Sequence, residues 1–295
     1  MVLKQLLERL TYEVVQGTDE QEISTLTNDS RKVEAGSVFV CISGAAFDGH
    51  KFIAEVAEKG ATAVVVEQSM AQLQIPEEIL HGLTIIRVRD TRYALALMSA
   101  AYFGYPAEKL KVIGITGTKG KTTTTYMIKS ILDDVGYKVG LIGTIEAIIG
   151  DKHIPAANTT PESYTIHKYF AEMVEAGCDC VVMEVSSQGL MLNRTAGIPF
   201  EIGIFTNLGR DHIGPNEHKD FEDYMHCKAV LFQQCKLGIA NVDDIHFEDV
   251  FARATCRVET FGFSKKADLR AVDTHLVSRP GYLGVAYHVA GMMDF

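Results

Sequence analysis

The sequence predicts an α/β protein: a small N-terminal α/β domain, then a mostly parallel-sheet, P-loop-type ATPase domain. Three observations predict it. Strand-like and helix-like segments alternate along most of the chain. A polar break at Gly104-Tyr105-Pro106-Ala107-Glu108 interrupts that alternation, with proline ending a helix. Just beyond it, an apolar run leads into a glycine-rich turn and a helical pattern. The boundary falls there, giving domains over residues 1–108 and 109–295. A chain of 295 residues suits two domains at roughly 150 residues each.

Each element follows from its pattern. Leu3, Leu6, Leu7 and Leu10 share one helical face, and Lys4, Glu8 and Arg9 among them argue against an export signal. Residues 37–42, 61–66 and 83–88 read as strands, and 52–59 and 91–102 as helices. In the second part, strands are expected at 111–115, 138–142, 180–185, 202–206 and 237–240. Helices are expected from Lys121 onward, over 162–176 and over 219–234. The first of these should bury a stripe of Ile128, Ile131, Leu132 and Val135. Gly150-Asp151 marks a hairpin turn, and residues 270–277 and 282–289 read as antiparallel strands about Arg279-Pro280-Gly281. The run Gly291-Met292-Met293-Asp294-Phe295 has no polar tail, so the chain is expected to be cut within a longer one.

Composition narrows the function classes. At 47% apolar and 22% charged residues the chain is globular and not disordered. It has no run of the ~20 apolar residues a membrane helix needs. A net charge of −10 argues against a nucleic-acid binder. The six cysteines form no C-x-x-C pair, so neither a disulfide framework nor a zinc ribbon is expected. Free thiols without an export signal suggest the cytoplasm.

The strongest chemical signal is Thr116-Gly117-Thr118-Lys119-Gly120-Lys121-Thr122-Thr123 between a strand and a helix. Glycines let the backbone wrap an anion, a helix N-terminus points N–H groups at it, Lys121 suits the β/γ-phosphates and Thr122 suits magnesium. Ile115 stands where the strict P-loop pattern has glycine, so this is a variant. Glu184 ends an apolar strand, the edge where ligands bind in open α/β sheets, and could hold Mg2+; a solvated glutamate is the alternative. Asp211-His212 is a second strand-end cluster of the same kind. Lys228 falls on an apolar stripe with Phe221, Tyr224, Met225 and Phe232. A desolvated lysine there could react with CO2 to give a carbamate, whereas a snorkelling lysine would keep its head in water. Asn28-Asp29-Ser30-Arg31-Lys32 and Gly44-Ala45-Ala46-Phe47-Asp48-Gly49-His50 have turn chemistry that could also line a pocket.

Together these segments resemble the Mur ligases of peptidoglycan synthesis, in particular the branch that adds the third amino acid. The resemblance rests on D-S-R-K-V at 29–33, G-x-x-x-D-G-H-x-F at 44–52, T-G-T-K-G-K-T-T at 116–123, and N-T-T-P at 158–161. It extends through E-V-S-S at 184–187 with Arg194, T-N-L-x-x-D-H at 206–212, and Lys228. It implies an ATP-dependent amide ligase that activates the D-Glu carboxylate of UDP-MurNAc-L-Ala-D-Glu as an acyl-phosphate. The amino group of meso-diaminopimelate or L-lysine then attacks. Ser30 is implied for the uridine nucleotide; Gly117, Thr118, Lys119, Gly120, Lys121, Thr122, Thr123 and Asn241 for ATP; Thr122, Glu184, His212 and carbamylated Lys228 for Mg2+. Asn158, Thr159, Thr160, Ser186 and Arg194 are implied for the muramoyl dipeptide. The family's third domain, which takes the incoming amino acid, is expected to be missing, and turnover with it. Two other readings compete: a folylpolyglutamate-synthase-like ligase, and a module that binds nucleotide or UDP-sugar without turnover.

Overall fold

The computed structural model describes residues 1–44, 48–73, 75, 79, 82–215 and 217–291. Part of the expected 44–50 loop and the terminal 292–295 run therefore lie outside the described residues. The chain divides into two compact units. One comprises residues 1–109 with 161–175 and 192–197; the other comprises 110–160, 176–191 and 198–295. Two segments that the sequence reading placed after its boundary thus cluster with the first unit.

The first unit is built on a five-stranded sheet in the order β1-β5-β4-β3-β2. Its strands are β1 (Glu13–Gln16), β2 (Leu26–Thr27), β3 (Val38–Val40), β4 (Ala63–Val66) and β5 (Thr84–Arg87). All neighbours pair in parallel except β1, which closes one edge antiparallel to β5. β3 and β4 are buried along their whole length, as apolar runs covered on both faces should be. Leu3, Leu6 and Leu7 pack into one core layer with Ala94, Leu95 and Met98 of the helix Thr91–Tyr102. Asp90 starts that helix, its carboxylate accepting from Tyr93 N at 2.9 Å. The helix Ser163–Glu175, which buries Ile166, Phe170 and Met173, packs against Thr91–Tyr102 and clusters with this unit. Asp48 and His50 lock the start of the helix Ile53–Glu58. His50 Nδ1 lies 2.7 Å from Asp48 Oδ1, and His50 Nε2 accepts from Glu67 N at 3.2 Å.

The second unit holds a ten-stranded sheet in the order β15-β14-β13-β12-β11-β6-β10-β7-β8-β9. In chain order these are β6 (Lys111–Thr116), β7 (Val139–Ile142), β8 (Glu146–Ile149), β9 (Lys152–Pro155) and β10 (Cys180–Glu184). They continue with β11 (Phe200–Phe205), β12 (Cys235–Asn241), β13 (Arg257–Gly262), β14 (Leu269–Arg279) and β15 (Tyr282–Gly291). The run from β7 through β14 is parallel. Hairpins turn antiparallel at both edges: β8–β9 around Gly150-Asp151, and β14–β15 around Pro280-Gly281. Successive strands leave β6 on opposite sides, so the sheet has its topological switch beside β6.

Two sequence expectations need correction here. In the helix Lys121–Asp134, Ile131 is 60% and Val135 67% exposed. Thr125 is buried, and Ile128 and Leu132 pack on the cluster of Ile113, Ile115, Val139, Cys180 and Val182. Those three residues set the sheet-facing direction, and Ile131 projects roughly 90° round the helix from it. The second correction is the expected helix over 219–234, which is two pieces, Phe221–Ala229 and Leu231–Gln234.

Candidate phosphate-binding and ligase site

The site is built at the C-terminal end of β6. The chain leaves Thr116 and turns at Gly117, whose φ of 148° is left to glycine. A side chain there would collide with Thr206 Oγ1 and approach Asn207 O to 3.0 Å. Asn207 clamps the loop, accepting from Thr118 N through its backbone at 2.9 Å and from Lys119 N through Oδ1 at 2.9 Å. Gly120 then enters the left-handed region at φ 86° and leads into the helix Lys121–Asp134 with no side-chain cap. With no side-chain cap among the described residues, its first N–H groups are available to an anion.

Two ammonium groups converge on one carbonyl. Lys121 Nζ donates to Gly117 O at 2.8 Å and Thr118 O at 3.3 Å, and Lys228 Nζ donates to the same Gly117 O at 3.0 Å. Burial lowers the Lys121 pKa, partly offset by Glu184 and Asp211. Lys228 is lowered further, to about 7, first by burial and then by the charge of Lys121. At 1% exposure, with its head over the Tyr224 ring at 4.5 Å, Lys228 does not snorkel. The shift favours the unprotonated amine, the form that reacts as a nucleophile.

Glu184 is also not a solvated strand end. It is 1% exposed, with Oε2 accepting from Thr122 Oγ1 and Thr144 Oγ1, each at 3.0 Å, and Oε1 from Thr144 N at 2.8 Å. Gly143 makes room for it, since a Cβ there would stand 2.5 Å from Oε1. A cavity of about 310 Å³ opens here, lined by Lys119, Lys121, Thr122, Thr144, Thr159 and Glu184 among others. Its acidic and hydroxyl oxygens are the hard donors Mg2+ takes, so Thr122 and Glu184 fit that ion.

The other expected residues fall into separate places. Thr159 Oγ1 bonds Thr144 Oγ1 at 3.0 Å, and Asn158 is exposed. Thr160 is buried, donating to Glu184 O at 2.9 Å and accepting from Ser186 N at 2.9 Å. Ser186 caps the short helix Ser187–Met191 by accepting from Gly189 N at 3.0 Å. Thr123 lines the same cavity. His212 is exposed on a loop, its Nδ1 3.2 Å from Glu217 Oε1, so its hydrogen bonding does not join the Thr122–Glu184 group. Asn241 spends its amide on structure, donating to Thr206 O at 2.9 Å and accepting from Asp243 N at 3.0 Å. Arg194 belongs to the first unit, where it pairs with Glu162 at 2.7 Å. Ser30 lines a second cleft in that unit, about 890 Å³, with Thr27, Asn28, Phe52 and Tyr164 among its walls.

Sequence reasoning missed Thr144, Tyr224 as a partner of the loop, and Asn207 as its clamp. Tyr224 OH lies 3.0 Å from Thr118 Oγ1. The Gly143-Thr144 pair just after β7 was the available signal, at the same strand edge as the loop.

Comparison with known proteins agrees with this geometry. The profile of the Mur ligase middle domain matches residues 115–287, and that of the Mur ligase family catalytic domain matches 22–103. A UDP-N-acetylmuramoyl-L-alanyl-D-glutamate–2,6-diaminopimelate ligase of Clostridium perfringens is 47% identical over 278 residues, covering 92% of this chain and 56% of the relative. The Clostridium tetani ligase of the same name is 43% identical over 287 residues, covering 97% and 58%. A solved structure of that name superposes with a TM-score of 0.80 at 24% identity, covering 99% of this chain and 57% of the other. A Mycobacterium tuberculosis folylpolyglutamate synthase is more distant, with a TM-score of 0.52 at 16% identity over 68% of this chain and 51% of its own. The chain spans little more than half the length of the curated relatives it matches. With the middle-domain profile covering residues 115–287 and the loop, the buried carboxylate and the buried lysine in one place, the chain belongs to the Mur ligase family.

Proposed function

We propose that this chain is the substrate- and ATP-binding part of a cytoplasmic ligase of peptidoglycan precursor synthesis. The complete enzyme joins UDP-MurNAc-L-Ala-D-Glu to meso-diaminopimelate, the amino acid in the names of the relatives, with L-lysine as the other candidate. The observation that carries the reading is the convergence of Lys121, Thr122, Glu184 and Lys228 on the Gly117 loop.

The chemistry must bring two anions together, the D-Glu carboxylate and the γ-phosphate of ATP. Lys121 and the uncapped helix N-terminus offset the charge of the transferring phosphoryl group. The carboxylate oxygen attacks phosphorus and ADP leaves. The amine of the incoming amino acid then attacks the acyl carbon, phosphate departs and an amide remains. Bound Mg2+, held by Thr122 and Glu184, would supply further charge neutralisation at the phosphates. Lys228 suits carbamate formation: its free amine adds to CO2, loses one proton and becomes an anion. His212 is assigned to the metal and Asn241 to the nucleotide by family resemblance. Ser30 is assigned to the uridine end of the substrate. Asn158, Thr159, Thr160, Ser186 and Arg194 are assigned to its dipeptide.

Titration calorimetry of the 295-residue chain with UDP-MurNAc-L-Ala-D-Glu and, separately, with a folate tests the proposal. Binding of the first alone is expected. Folate binding would move the chain to the folylpolyglutamate branch, and binding of neither would remove the substrate assignment.

A further inference from the structure

The turn into the helix Phe221–Ala229 gathers donors that the ligase chemistry leaves unused. Asp220 caps the helix, its carboxylate accepting from Asp223 N at 2.8 Å. Asp223 and Cys227 stand four residues apart on this helix and so share a face. His218 enters just ahead of the cap and is 1% exposed. Its backbone is pinned on both sides, N donating to His212 O at 3.1 Å and O accepting from Gly214 N at 3.2 Å. Its ring packs edge-on against Tyr224 at 5.1 Å. Nδ1 lies 3.0 Å from Asp223 Oδ2, and among the described residues Nε2 has no hydrogen-bond partner.

One donor atom from each of His218, Asp223 and Cys227 lies within 4.8 Å of the other two. A hydrogen bond between His218 and Asp223 explains one ring nitrogen and one oxygen. It does not explain why a wholly buried imidazole leaves a nitrogen without a partner among the described residues, nor why a thiol joins the pair. The mix of nitrogen, sulfur and oxygen is wrong for Mg2+, which takes oxygen, and right for a borderline-soft divalent ion. Three protein ligands with an open fourth position is an arrangement zinc accepts.

We propose that His218, Asp223 and Cys227 form a binding site for a zinc-class divalent cation, separate from the oxygen-lined position at Glu184. On binding, Cys227 releases its thiol proton to solvent and a sulfur–metal bond forms, with no change of oxidation state. Tyr224 packs on His218 and reaches Thr118 through its hydroxyl, so occupancy bears on the phosphate loop.

Cobalt(II) titration of the 295-residue chain tests this independently of substrate binding. One equivalent should produce the thiolate-to-cobalt charge-transfer absorption, and excess Mg2+ should leave it intact. Cys227→Ser should abolish that band, and Asp223→Asn should weaken cobalt binding tenfold or more. In the unaltered protein, one equivalent of Zn2+ should slow alkylation of Cys227 at least tenfold while leaving Cys256 unchanged, which keeps the test valid if a variant misfolds. Absence of the band, its survival in Cys227→Ser, or unprotected Cys227 would each overturn the site.

Discussion

Between Thr116 and Thr123 the groups suited to a phosphate come from eight consecutive residues. The cleft of the first unit instead draws its walls from segments as distant as Thr25 and Thr165. The glycine loop is a local device. Strand, glycine turn and helix N-terminus specify one another, and Gly117 and Gly120 carry the left-handed backbone that makes the wrap possible. The cleft is a product of assembly, where Ser30 and Tyr164 meet only because the helix Ser163–Glu175 packs against Thr91–Tyr102. A single residue should therefore matter more in the loop than in the cleft, and five experiments can break or sharpen that contrast.

The largest effect is expected from Gly117→Val. Its φ of 148° and the collision with Thr206 should cost about 3 kcal/mol or more, read as a fall in denaturation midpoint. A wild-type midpoint would show that the loop adjusts freely. Next comes the pH dependence contributed by Lys228. Its folded pKa of about 7 lies below the ordinary 10.5, so between those values the unfolded chain holds a proton that the folded one has released. Stability should accordingly rise with pH across that window, by ~2–3 kcal/mol from pH 7 to 9 at ~1.4 kcal/mol per unit. Lys228→Met should flatten the part of the rise that Lys228 supplies. An unchanged slope in denaturant melts at the two pH values would place the ammonium in water. Labelled bicarbonate and 13C NMR on the unaltered protein give the companion readout, a carbamate resonance lost in the variant.

Lys121→Ala should weaken ATP binding tenfold or more, since charge-assisted phosphate contacts are worth ~1.5–3 kcal/mol. Its fold should survive, because among the described residues the lysine's hydrogen bonds go to loop carbonyls. Equal ATP affinity in the folded variant would refute the phosphate-loop role. Ser30→Ala should cost ~1 kcal/mol in affinity for the UDP-linked dipeptide, about fivefold, because one hydroxyl is a small part of a wall built from many segments. A hundredfold loss would mean that the cleft concentrates its energy as the loop does. Ile131→Gln should change stability by less than ~0.5 kcal/mol, as expected of an exposed position. A loss of 2 kcal/mol would restore Ile131 to the core.

Much of this was legible in the sequence because it is local. Apolar runs marked β3, β4, β6 and β10, and Gly150-Asp151 marked its hairpin. Pro106 marked the end of the helix Thr91–Tyr102. β1 and β13 were not legible: Glu13–Gln16 and Arg257–Gly262 mix charges with apolar residues, and they are strands because a neighbour's edge offers them hydrogen bonds. The place of Lys121 and Thr122 at the start of the helix after the glycine turn was readable from spacing alone. The state of Lys228 was not, because an apolar stripe says which way a side chain points but not whether water follows it.

The sequence by itself determined the alternation of strands and helices, the strand–glycine turn–helix unit at 116–123 and the family. These rest on backbone preferences and hydrophobic periodicity, which act over a few residues. Only the tertiary structure decided that Ile131 faces solvent, that residues 161–175 belong with the first unit, and that Glu184 is buried beneath Thr122 and Thr144. It also decided that Lys121 and Lys228, 107 positions apart in the chain, share the Gly117 carbonyl. Burial and charge proximity depend on which distant segments exclude water together. That is why the desolvation of Lys228, which favours its reactive amine form, came into view only once the sheet had assembled.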